Sequence, residues 1–422
     1  MSGYLVLMIM SKNDKYYYRC SDCGKQYAAD GVKYLCPECA AANTPELPPK
    51  GVLKTMYHYD SLRVKGLDFA RLKKNEFLEL LPVESRESLP PLKVGKTPLY
   101  KIETLEKETL SCNLYLKDDS QNPTFSFKDR ASYIVSAYAK EHGLQTIVAA
   151  STGNAGSSLA GICASQHQKA IILVPESAPL AKITQIIMYG AQIVPVRGTY
   201  DDAFDLSVKA TEAYGWYNRN TAFNPLTIEG KKTVSFELFD QLREQIPDRI
   251  FVPVGDGVII SGVYKGFEDL LKLGIIDKMP VIVAVQSEGS DNLVRNLNND
   301  DFEIHLSHTL ADSISVDIPR NFYMTRGFLK KYSGEPLTVS DEQILEASSV
   351  LAKNTGIFSE PAAATAFAGF LAYKNSEKLP AGTKNVVLLT GSGLKDIKTA
   401  SDHLKMPAAI KPRLSELKNL LG

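Results

Sequence analysis

Along this chain, short apolar runs alternate with longer stretches whose apolar residues fall three and four apart. The runs NLYLKDD, TIVAAS, AIILVPE, QIVPVRG, RIFVPVG, PVIVAVQ and NVVLLTG are rich in β-branched residues and bounded by turn formers, which predicts buried strands. SFKDRASYIVSAYAKEH and SSLAGICASQ, which lie between such runs, have helical spacing. Alternation of this kind argues for an α/β fold with parallel sheets, and its two clusters predict two such units. Before Gly95 the pattern lapses. Proline and mixed charge (NTPELPPKG, LPVESRESLPPLKVG) surround one helical candidate, DFARLKKNEFLELL, in a connecting arm too poor in apolar residues for its own core.

Composition narrows the classes of function. With 422 residues, 44% of them hydrophobic, the chain has room for two or three domains and a sizeable core. Lysine plus arginine equals aspartate plus glutamate at 48 each, which removes any global electrostatic case for nucleic acid or an anionic membrane. A small-molecule partner is expected, with no nucleic acid, no membrane and a homodimer left open. The apolar opening MSGYLVLMIM lacks a basic start and a small-residue cleavage site and is too short to cross a bilayer, so it is not read as a signal peptide. Four of the six cysteines bunch near the N-terminus, which suits metal binding in a reducing, cytoplasmic compartment better than a disulfide framework.

Those four are Cys20-x2-Cys23 and Cys36-x2-Cys39, two knuckles around a twelve-residue loop. Four thiolates with no open position suit a structural Zn2+, so the segment reads as a zinc ribbon that staples or docks. The other chemistry gathers at Asn122-Pro123-Thr124-Phe125-Ser126-Phe127-Lys128-Asp129-Arg130. A lysine acts on carbonyls only when unprotonated, and Phe125 and Phe127 are placed to desolvate Lys128 near a helix start. A Lys-Asp-Arg run in a first helical turn is equally what a solvated charged face looks like. Three glycine- and hydroxyl-rich loops follow strands: Ser151-Thr152-Gly153-Asn154-Ala155-Gly156, Val254-Gly255-Asp256-Gly257-Val258-Ile259, and Thr390-Gly391-Ser392-Gly393. The first two present backbone amides at helix N-termini, where carboxylates and phosphates bind, although each loop alone is also what an ordinary turn looks like.

Together, PTFSFKDR, STGNAG, APLAKITQ, YGAQIVPVRGTYDDA, FNPLTIEGKKT, VPVGDG and LTGSGLKD resemble, in order, the fold type II pyridoxal-phosphate enzymes, and among them the threonine synthases. The resemblance covers most of residues 95–400 and implies two three-layer α/β domains with the cofactor in the cleft between them, plus the N-terminal zinc ribbon. It divides the chain into 16–44 (ribbon), 45–94 (arm), 95–131 with 225–422 (large, pyridoxal-phosphate-binding) and 132–224 (small). Lys128 becomes the Schiff-base lysine and catalytic base; Asn154 meets the cofactor O3′; Gly255, Asp256, Gly257, Val258 and Ile259 hold its phosphate; Thr390 meets its pyridine nitrogen. Ser151, Thr152, Asn154 and Ala155 take the substrate carboxylate, and Lys182 lies near the substrate phosphate.

The implied activity is a carbon–oxygen lyase reaction acting on O-phospho-L-homoserine in threonine biosynthesis. Three departures bear on it. Asp256 places a carboxylate in the phosphate loop, which is tolerable if it points away; Ser392 stands where the family usually has a histidine; and Thr227 stands where it commonly has an arginine on the substrate phosphate. Arg219, Lys231 and Lys182 are the candidates to compensate. The missing arginine keeps open a related lyase, such as a serine/threonine dehydratase or a cysteate synthase. A zinc-ribbon binding protein that has lost activity is the other class, and the intact Lys128, Asn154 and Thr390 speak against it.

Overall fold

A computed structural model describes residues 15–404 and 407–421; the apolar opening of the chain lies outside them. The chain starts with an antiparallel sheet of β1 (Tyr16–Cys20), β2 (Gln26–Ala28) and β3 (Leu53–Tyr57), in the order β2-β1-β3. Then β4 (Leu99–Leu105) and β5 (Glu108–Asp118) form a hairpin, and β5 leads to the helix Lys128–Glu141. Four parallel strands come next: β6 (Thr146–Ala150), β7 (Lys169–Pro175), β8 (Gln192–Val196) and β9 (Tyr217–Asn218), ordered β8-β7-β6-β9. The remaining strands are β10 (Arg249–Pro253), β11 (Val281–Ser287), β12 (Glu335–Val339) and β13 (Lys384–Leu389). They complete a six-stranded sheet, β12-β11-β10-β13-β5-β4, parallel except for the edge strand β4.

The strand interiors explain both parallel sheets. β6, β10, β11 and β13 are buried at nearly every position, as strands covered by helices on both faces must be. The alanine-rich helix Pro361–Asn375 is apolar around its whole circumference and lies against β10–β13, where Gly369 admits Val285 so closely that a Cβ would come within 2.7 Å. Gly230 is tighter still: a Cβ there would meet the Arg130 carbonyl at 2.0 Å, so the helix Leu226–Lys231 is pressed onto the helix carrying Lys128.

The antiparallel sheet is tied to this body by polar groups as well as by its tyrosines. The Tyr57 hydroxyl donates to Glu229 at 2.6 Å and the Tyr59 hydroxyl to Asp269 at 2.6 Å, while Lys232 bridges Glu229 and Asp269, all fully buried or nearly so. Each charge thus has an opposite neighbour, the condition under which a buried ionic cluster is tolerated. Tyr57→Phe is expected to cost about 1.5–3 kcal/mol, the usual worth of a hydrogen bond to a charged group, read as a lower midpoint of urea unfolding. The candidate helix DFARLKKNEFLELL is shorter than its pattern: it runs Phe69–Lys74 from an Asp68 cap and stops where Glu76 and Phe77 take φ of 55° and 61°.

Candidate active site

Lys128 is the first residue of its helix and is held there by the end of β13. The Phe127 N–H donates to the Thr390 carbonyl at 2.8 Å, and the Ser392 N–H to the Phe125 carbonyl at 3.1 Å. Phe127 is wholly buried, whereas Phe125 is 48% exposed at φ 68°, so Phe125 is not the buried aromatic that the sequence predicts beside Lys128. The Lys128 side chain opens onto a cavity of about 730 Å3. Burial lowers its pKa; Glu360 opposes, Arg219 adds to the lowering, and Asp256 opposes again, so the free amine is more accessible than in an ordinary lysine. The charged-face alternative fails at its neighbours. Asp129 is buried and accepts from the Thr124 N–H at 2.7 Å, and Arg130 is buried in a fork on Asp119 at 2.6 and 2.9 Å.

Both amide-bearing loops reach the same cavity. Ser151, Thr152, Asn154 and Ala155 line it from the end of β6, and Gly255, Asp256, Gly257, Val258 and Ile259 from the end of β10. These are carboxyl ends of parallel strands, where open α/β sheets bind ligands. The second loop needs its glycines: Gly257 has φ 83° and a Cβ there would meet the Thr325 hydroxyl at 2.3 Å, while a Cβ on Gly255 would meet the Ile314 backbone at 2.9 Å. The backbone can therefore approach an anion at the start of the sixteen-residue helix Val258–Leu273. Asp256 Oδ1 accepts from the Arg320 N–H at 3.3 Å, which occupies one of its oxygens with the protein's own backbone.

Thr390 and Lys182 do not line the cavity. Thr390 is buried, and its carbonyl accepts from the N–H of Phe127, the neighbour of Lys128. Lys182 forms an ion pair at 2.8 Å with Asp312, a residue of the cavity wall, and so stands at the rim. At the other end of the chain, Cys20, Cys23, Cys36 and Cys39 converge with all sulfurs within 4.8 Å of one another, including 3.7 Å for Cys20–Cys39 and 3.8 Å for Cys23–Cys36. A tetrahedron with Zn–S bonds of about 2.3 Å has edges of about 3.8 Å, so the spacing fits that ion.

The pyridoxal-phosphate dependent enzyme family model matches residues 91–391. The threonine synthase of Methanocaldococcus jannaschii is 35% identical over 96% of this chain and 98% of its own length. This chain belongs to the threonine synthases of that family. The threonine synthase of Methanosarcina acetivorans is 33% identical over 96% of the chain and 98% of its own length. Among solved structures, O-ureido-L-serine synthase superposes with a TM-score of 0.63 at 21% identity, over 75% of this chain and 95% of that one, which places the two parallel sheets in the fold type II arrangement. Pyridoxal phosphate is the cofactor of the family, and the cleft fits it: a lysine with a lowered pKa and a close-approach amide loop share one cavity.

Two buried ionisable residues near the cavity, Glu360 and Lys395, are given no role by the sequence reading. Glu360, at the start of the helix Pro361–Asn375, accepts from the Asn154 side-chain amide at 2.9 and 3.0 Å. Burial raises its pKa, while Asn154, Lys128 and Lys395 pull it back. Gly391 is required beside it, since a Cβ would meet Glu360 Oε1 at 2.3 Å. Lys395 donates to the Ser157 hydroxyl at 2.8 Å, and burial lowers its pKa. Glu360 precedes a proline at a helix start, a local signal that reads as capping and says nothing of its distant partner. The helix Phe322–Lys331 braces the amide loop through Thr325, which donates to the Gly257 carbonyl at 2.9 Å.

Proposed function

We propose that the cleft converts O-phospho-L-homoserine and water to L-threonine and inorganic phosphate. The observation that carries this reading is the meeting of Lys128 with two amide-bearing helix starts across one cavity, in a chain similar to threonine synthases along nearly its whole length. Pyridoxal phosphate supplies, when bound, the electron sink for carbanion character at the substrate Cα. Lys128 holds it covalently, Gly255 to Ile259 take its phosphate, Asn154 its O3′, and Thr390 its pyridine nitrogen. Ser151, Thr152, Asn154 and Ala155 bind the substrate carboxylate and set Cα toward Lys128.

The Lys128 amine, freed once the substrate's amine displaces it, takes the Cα proton, moves a proton from Cβ, and returns one at Cγ after phosphate departs with the C–O bonding pair; the hydroxyl of water adds at Cβ and a proton returns to Cα. Lys182, with Asp312, sits where closure of the rim would shield these steps from bulk water. The test is substrate choice. Phosphate release from O-phospho-L-homoserine is expected to exceed keto-acid formation from L-serine or L-threonine by at least about 10²-fold in kcat/KM, because a site built for a phosphate is left unpaired without one. The reverse ranking would move the assignment to a dehydratase.

The four cysteines hold one structural Zn2+ in this reading, and residues 16–44, 45–94, 132–224 and the remainder act as ribbon, arm, small and large domains. Metal analysis is expected to give one zinc per chain. Chelation at neutral pH, or Cys23→Ser, is expected to lower the melting temperature by several degrees because ligand binding to the folded state is lost. An unchanged melting temperature after proven zinc removal would leave the ion without a structural role.

A further inference from the structure

Two basic residues on the cavity wall have no ion-pair partner among the described residues. Lys231, at the end of the helix Leu226–Lys231, is fully buried, and its ammonium has no hydrogen-bond partner among the described residues. Arg219, just past β9, is also fully buried; its Nε donates to the Ser132 hydroxyl at 3.2 Å and its Nη1 to the Thr221 hydroxyl at 2.9 Å, while Nη2 has no partner among the described residues. Both residues line the cavity. Burial pushes Lys231 well below the ordinary lysine range, Arg219 and Lys128 push it further, and only Asp256 opposes. Burial also brings Arg219 down to about 10.

Burial disfavours the charge on both groups and an anion beside them restores it, so two such groups on one cavity wall mark a place where an anion completes the structure. The position is built: Gly262 lets the helix Val258–Leu273 lie against Lys231, and a Cβ there would meet Lys231 Cβ at 2.7 Å. One helical turn earlier, and so on the same side of the helix, Thr227 donates its hydroxyl to the Asn224 carbonyl at 2.8 Å and has no hydrogen left for an anion. The amides from Gly255 to Ile259 already offer a cofactor phosphate its site at a helix start.

We infer that Lys231 and Arg219 together bind the phosphate dianion of the substrate and stabilise it as it leaves, the cation standing at position 231 and not at 227. This rests on the reading of the substrate as a phosphate ester. The ammonium supplies a compact charge and the guanidinium a directional N–H, and both act on charge that grows as the C–O bond breaks.

The experiment compares holoenzyme, Lys231→Met, and Thr227→Arg combined with Lys231→Met. It reads kcat and KM for O-phospho-L-homoserine, the inhibition constant of inorganic phosphate, the dissociation constant of pyridoxal phosphate from apoenzyme titrations, and the melting temperature. Lys231→Met is expected to raise the phosphate inhibition constant and KM at least tenfold and to lower kcat, with cofactor affinity within twofold and a melting temperature equal or higher. The double variant is expected to regain part of the phosphate affinity. A phosphate inhibition constant unchanged in Lys231→Met overturns the inference. So does a tenfold loss of cofactor affinity with phosphate inhibition intact, which would assign the pair to the cofactor's phosphate. If wild type fails to turn over O-phospho-L-homoserine yet binds inorganic phosphate in a Lys231-dependent way, the cation pair stands and the substrate assignment falls.

Discussion

Lys128→Ala is expected to lower kcat by at least about 10⁴-fold, the upper range for loss of one positioned acid–base group, and to abolish covalent retention of the cofactor as well. The two losses are linked because one amine serves both ends. The fold is expected to survive: the surroundings act on Lys128 only through burial and charges at a distance, and its segment is held by backbone bonds from Phe127 and Ser392 that alanine keeps. Lys128→Arg is not expected to rescue, since a guanidinium stays protonated and offers no free amine. Visible absorbance after gel filtration, melting temperature and kcat measured on the same samples check this. A colourless variant with a wild-type melting temperature and kcat within tenfold of wild type would remove Lys128 from the chemistry.

Glu237→Ala is expected to cost about 3–5 kcal/mol of stability, because it leaves the buried Lys117 without a carboxylate and takes one of two from the buried Arg130. Glu237 accepts from Arg130 at 2.6 and 2.8 Å and from Lys117 at 2.7 Å, and Arg130 and Lys117 are fully buried. Arg130 also forks onto Asp119, so the cluster joins β5, the helix bearing Lys128 and the helix Thr233–Gln241. Burial alone would raise the Glu237 carboxyl, but Arg130 and Lys117 outweigh it and hold the carboxyl below the usual range. A carboxylate with a lowered folded-state pKa contributes stability above its unfolded value and loses it as pH falls through the folded one. The wild type is therefore expected to lose part of its stability under acid, and Glu237→Ala to show a flatter dependence over that window. Urea midpoints at neutral and acidic pH check both statements.

The strands with continuous apolar runs were legible because parallel strands between helix layers must be apolar on both faces: TIVAA, RIFVP and NVVLL fall in β6, β10 and β13. β9 was not, since Tyr217–Asn218 is two residues long and buried through neighbours the sequence does not place beside it. β3 lies in a stretch whose prolines and charges read as an arm, and its pairing with β1 is visible only in three dimensions. The site was legible where backbone chemistry is local: a lysine before a helix, glycines after strands. Glu360 and the unpartnered state of Lys231 were not, because each depends on residues far away along the chain: Asn154 for the first, and for the second the burial created by the helix Val258–Leu273. The run Lys128-Asp129-Arg130 shows the limit of charge patterning. All three could have been solvated, and the fold instead directs Lys128 into the cavity, Asp129 onto the loop before it and Arg130 into the ion cluster.

The most direct measurement is turnover of O-phospho-L-homoserine in ¹⁸O-labelled water, with mass analysis of both products. Elimination of phosphate by C–O cleavage followed by addition of water at Cβ predicts threonine carrying the label in its hydroxyl and phosphate carrying none, in equal amounts. Labelled phosphate with unlabelled homoserine would show cleavage at phosphorus and contradict the account.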